Sequence, residues 1–136
     1  MSVGVRVGSI VSEVGASSFF NSFFSTIKGL LEPAGAGTRF PAISIDFYDG
    51  YVPVDRINDA MVELEKIQGE LAKFPPSSII WDYDDRSKIP PWGDNINPNI
   101  TSMANYFVTS AGRDLFNLLF EIFDYAKRKK MDVTIE

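Results

Sequence analysis

The sequence contains neither cysteine nor histidine. The first absence excludes disulfides, thiolate nucleophiles and the common structural zinc sites. The second removes the most frequent general base and metal ligand, so any catalysis would fall to carboxylates, lysine, tyrosine or serine. Also missing is an apolar run long enough to span a bilayer, and the first residues lack the basic-then-apolar pattern of a secretory leader. A cytoplasmic chain with no membrane contact is expected. Gly35 and Gly37 follow a helical pattern and precede no Gly-Lys-Ser/Thr, so they form no phosphate-cradling loop. No repeat, low-complexity tract or linker divides the chain, and residues 1–136 read as a single domain.

What is present is aromatic and acidic. Eleven phenylalanines among 136 residues predict a phenylalanine-rich core, large enough at this length to need no covalent staple. The net charge is −5, unevenly spread. From Phe40 to Asp94 there are 11 acids and 5 bases, a balance of −6, against +1 for the remaining residues. A negative field in mid-chain repels nucleic acid and anionic membranes and attracts a basic partner.

Val3, Val5 and Val7 alternate with small or polar residues as in a strand buried on one face, continuing through Ile10 and Val11 until Gly15. Ser17 or Ser18 is placed to cap a helix carrying Phe19, Phe23, Ile27 and Leu31 at four-residue spacing. Residues 39–48 suit either a short helix with Pro41 in its first turn or a strand, the helix being preferred. Ile57, Met61, Leu64, Ile67, Leu71 and Phe74 define the clearest helix, with Asp55 as its cap and Pro75-Pro76 as its stop. On its outer face Glu63 with Lys66 and Glu70 with Lys73 read as solvated pairs. Residues 79–83 and 105–109 read as strands. Thr109 or Ser110 would cap a helix over 112–129, closed by the cations of 127–130, and Met131, Val133 and Ile135 alternate as a last strand. If the strands around that helix were parallel, their crossover would be right-handed. The fold class expected is α+β: a sheet of about four strands with three or four helices packed mainly on one face.

The stretch Ile79-Ile80-Trp81-Asp82-Tyr83-Asp84-Asp85, continued by Pro90-Pro91-Trp92-Gly93-Asp94, is the candidate working surface. An apolar strand running into Asp82-x-Asp84 is the arrangement of haloacid-dehalogenase-type phosphoryl transfer, and supports an alternative reading as a small divalent-metal phosphohydrolase. Asp85-Arg86 departs from that pattern, and no doubly wound series surrounds it. Asp82, Asp84, Asp85 and Asp94 could also meet on a cation, though the calcium-loop glycine and terminal glutamate are missing. Paired carboxylates with Trp81 and Trp92 stacking on a sugar form a third option. Trp81 suits the core, and Trp92, between Pro91 and Gly93, suits a partly exposed interface anchor.

Val7-Gly8-Ser9-Ile10, Ser18-Phe19-Phe20, Glu32-Pro33, Arg39-Phe40-Pro41, Phe74-Pro75-Pro76, Ile80-Trp81-Asp82, Pro90-Pro91-Trp92-Gly93-Asp94-Asn95-Ile96, Asn105-Tyr106-Phe107-Val108-Thr109-Ser110 and Gly112-Arg113-Asp114 together resemble the immunity protein 70 family of bacterial polymorphic toxin systems. The resemblance runs nearly the full length. It implies a non-enzymatic cytoplasmic antidote, without cofactor or metal, that binds and blocks a cognate toxin domain encoded beside it. It carries no functional residues with it. The acidic field suggests that the toxin domain is basic, as nucleases are, and places the contact on Asp82, Asp84, Asp85, Trp92 and Asp94, with Asp46 and Asp49 as extensions.

Overall fold

The structure, a computed structural model, describes residues 2–136. Strands β1 (Ser2–Val7), β2 (Ile10–Ala16), β3 (Tyr51–Val52) and β4 (Val133–Ile135) form one sheet in the order β2-β1-β4-β3, every pair antiparallel. Three α-helices accompany it: α1 (Ser17–Leu31), α2 (Ile57–Leu71) and α3 (Leu115–Lys129). A π-helix at Ala42–Phe47 and short 3-10 turns at Val54–Arg56 and Pro76–Ser78 complete the regular structure. The α+β class with about four strands holds, but two of the four strands are not those expected.

The first valine run and Ile10-Val11 are two strands of a hairpin. Gly8, at φ +61, turns the chain so that Val7 pairs with Ile10 and Arg6 with Val11. Residues 79–83 and 105–109 are not strands. The first run is irregular, and in the second only an isolated bridge, Val108 to Asp114, forms. A short apolar run carries no period that distinguishes a strand from a segment laid across a helix, and here helices are the neighbours. With every strand pair antiparallel, no parallel crossover arises around α3.

The helices lie where the periodicity put them, but their ends differ. α1 begins after Ala16 with no side-chain cap, Arg56 instead of Asp55 precedes α2, and α3 starts three residues late on Asp114, whose carboxylate accepts from the Asn117 amide at 3.0 Å. The preferred helix over 39–48 is the π-helix, with Tyr48 N–H donating to Ile43 C=O at 3.1 Å. Its first amides explain the outer face of α2. Glu63 is not a solvated partner of Lys66: its two oxygens accept from Ala42 N–H at 3.1 Å and Ile43 N–H at 2.9 Å. Glu70 likewise turns to Arg39 and not to Lys73.

Phenylalanines unite the layers. Phe23, fully buried on α1, meets Phe107 and Phe116 edge-on at ring separations of 5.3 and 5.4 Å. Phe47 of the π-helix stands edge-on to Phe20, Phe24 and Phe123. Such pairs contribute roughly 0.5–1.5 kcal/mol each beyond the area they bury. Val5, Val7 and Val133 turn into this core, while the opposite face of the sheet carries the Arg6–Glu136 pair.

Candidate functional site

The expected working stretch is an ordered loop clamped on α1. The Thr26 hydroxyl donates to Ile80 C=O and accepts from Ile80 N–H, each at 3.2 Å, and Ser25 Oγ accepts from Tyr83 N–H at 3.0 Å. Lys28 lies over the Tyr83 ring, 4.1 Å from its centre. The backbone groups of this segment thus bond to helix side chains, where a strand would have bonded to a neighbour.

Beyond the clamp the carboxylates diverge. Asp82 Oδ1 accepts from Asp84 N–H at 3.0 Å, closing an Asx turn, and its Oδ2 faces the Lys88 ammonium at 3.4 Å. Asp85 accepts from the Ser87 hydroxyl at 2.5 Å and from the Ser87 amide, and these bonds, helped by Lys88, hold its carboxyl below the usual range. Asp84 and Asp94 are exposed, with no ion pair among the described residues. Asp84 borders a small crevice with Lys28, Tyr48 and Tyr83. Asp46 is engaged in a 2.9 Å ion pair with Arg56, while Asp49 is exposed just past the π-helix. Among the described residues no three acidic side chains gather as a metal site would require. With Asp82 engaged in its turn and no strand leading into it, nothing in this geometry supports the phosphohydrolase alternative.

The tryptophans hold the loop's shape. Trp81 is buried and Trp92 is 39% exposed; their rings meet edge-on at 5.4 Å, and Trp92 Nε1–H donates to the Tyr106 hydroxyl at 2.9 Å. Burial, more than the nearby Asp94 charge, raises the Tyr106 hydroxyl above its usual pKa. Trp81 and Tyr106 line a recess of about 480 Å³ with Pro90, Arg86, Lys88 and Asp94. Sequence reasoning gave the two cations of this recess no binding role, though both lie within four residues of Asp84.

It also passed over Glu32. This carboxylate, 2% exposed, accepts from the amides of Gly37, Arg39 and Phe40 and from the Ser44 hydroxyl, and so organises the loop between α1 and the π-helix. The signal available was its place in the Glu32-Pro33 motif of the family resemblance, close to Arg39-Phe40-Pro41.

The fold and site together present an α+β domain with an exposed aromatic loop held on a helix. A family model described as Immunity protein 70 matches residues 5–135. The chain belongs to the Immunity protein 70 family. No curated protein and no solved structure matches it. Among the described residues no helix is long and apolar enough to cross a membrane.

Proposed function

We propose that this protein neutralises a cognate toxin domain by binding it in the cytoplasm, and that it transforms no substrate of its own. The near full-length family match carries this reading. The contact surface is the clamped loop: Asp84, Asp85, Asp94 and Trp92 are exposed, Asp82 closes the turn that carries Asp84, and Asp49 extends the negative field. Asp46, already paired with Arg56, contributes field more than contact. A surface of this sign steers a basic partner, such as a nuclease domain whose phosphate-binding cleft it would occupy. Because the loop is held by α1, little ordering entropy is lost on association.

The test uses the toxin domain encoded beside this chain. Asp84→Asn with Asp85→Asn should slow association severalfold at low salt and flatten its salt dependence, with the melting temperature little changed. An association rate indifferent to both substitution and salt removes the acidic-face mechanism. Turnover of a phosphorylated or glycosidic compound that is lost in Asp82→Asn overturns the non-enzymatic role.

A further inference from the structure

The candidate loop is not uniformly acidic. The segment that carries the exposed carboxylates also lines a recess of about 480 Å³, whose lining includes two cations, Arg86 and Lys88, against one acid, Asp94. The Arg86 guanidinium forms no ion pair among the described residues, and its nearest aromatic face, Tyr83, is 5.8 Å away. Lys88 meets Asp82 at 3.4 Å with both groups partly solvated, which leaves ammonium donors free. Two aromatic rings of the lining are held in place: Trp81 is braced edge-on by Trp92, and Tyr106 by the Trp92 hydrogen bond.

A recess of this size with two fixed aromatic rings holds one or two side chains, and an unpaired guanidinium in its lining selects a carboxylate. From this geometry we infer that the recess is the socket for an anchor of the partner protein: an apolar side chain adjacent to a carboxylate, presented from a surface that is otherwise basic. The inference rests on the toxin-binding reading and specifies the partner's chemistry at the centre of that contact. The exposed carboxylates of the same segment favour a basic surface on the partner, and the two cations of the recess favour an acid within it. Both signs must match, so a generic basic protein is rejected by the unpaired Arg86 and a generic acidic one by Asp84, Asp85 and Asp94.

The recess can be tested without the toxin, because the only two tryptophans of the chain are Trp81 in its wall and Trp92 behind it. Tryptophan emission is followed while the wild-type chain is titrated with acetyl-Glu-Leu-Phe-amide, then with the same peptide carrying Gln or Lys in place of Glu. The acidic peptide should perturb the emission at millimolar concentration or below, with an affinity about tenfold above that of either analogue and weakened by salt. Arg86→Gln with Lys88→Gln should abolish the preference; both side chains lie at the surface, and the salt titration of the wild type gives the same information if that variant folds poorly. Equal response to all three peptides, or none up to several millimolar, overturns the inference. So does benzoate binding as tightly as the acidic peptide, which would mark a small-molecule site, or an emission change that follows protein concentration alone, which would mark a second copy of this chain. Toxin capture that fails while the acidic peptide binds would refute the toxin-binding reading and leave the recess intact.

Discussion

Thr26 and Ile80, 54 residues apart, share a two-way hydrogen bond in which one hydroxyl satisfies both the amide and the carbonyl of a buried residue at 3.2 Å. This contact replaces the strand pairing that residues 79–83 would otherwise need, and through it the outward-facing loop inherits the rigidity of α1.

Thr26→Val keeps the shape and deletes the hydroxyl, leaving two buried backbone groups unpaired. It should cost about 2–4 kcal/mol in a urea titration, and Thr26→Ser much less. Tryptophan emission should change with it, since Trp81 follows Ile80 directly. A loss under about 0.5 kcal/mol would mean that the loop is held elsewhere.

Gly29 lies against the same residue. A methyl group added there would collide with Cδ1 of Ile80. Gly29→Ala should therefore destabilise by about 1–3 kcal/mol, although alanine favours a helix interior by up to about 1 kcal/mol. Ile80→Val removes the colliding carbon, so the double variant should recover much of the loss in a mutant cycle. Additivity of the two single effects would contradict the contact.

Glu32 separates size from charge. Glu32→Ala leaves three amides and the Ser44 hydroxyl without their acceptor and should cost about 3 kcal/mol or more. Glu32→Gln keeps one oxygen for the amides and turns its amide group toward Ser44, whose hydroxyl can accept, so it should cost about 1 kcal/mol. Thermal melts of the two variants should rank in that order.

Glu63 makes a prediction in pH. Burial pushes its carboxyl above the usual range, against the opposing pull of the Ile43 and Ala42 amides and Arg56. A raised folded pKa means that its favourable contribution is complete below the unfolded value and is lost as pH rises through the folded one. Compared with Glu63→Gln, the wild type should gain relative stability as pH falls from 7 toward 4. Carboxylates held low in both proteins, such as Glu70 and Glu136, cancel in the comparison. A difference independent of pH would remove Glu63 as a titrating group of the fold.

Periodicity made the long elements readable. Phe19, Phe23 and Ile27 on α1, and Ile57, Leu64 and Leu71 on α2, repeat often enough to specify a buried face whatever covers it. Gly8 is the instructive failure: a two-residue turn between two apolar runs was present in the sequence, yet alternation alone joined them into one strand. The candidate surface was legible as a cluster of residue types around Asp82, Asp84, Asp85, Trp92 and Asp94, and as a family likeness. Its geometry was not, because Asp82 closes a turn, Asp46 pairs with Arg56, and Arg86 lines a recess that exists only once residues 76–106 have folded back on themselves.

From the order of its residues alone, this protein was bound to an α+β class, to three amphipathic helices and to the Immunity protein 70 family, since those follow from patterns repeated along the chain. Tertiary structure decided which short apolar runs pair as strands, which carboxylates are occupied and where a socket opens. Each of those outcomes depends on what distant residues bring to the same place: Thr26 meets Ile80, Glu63 meets Ala42 and Ile43, and Trp92 meets Tyr106. A run of five residues has no preference strong enough to resist the neighbour that satisfies its backbone.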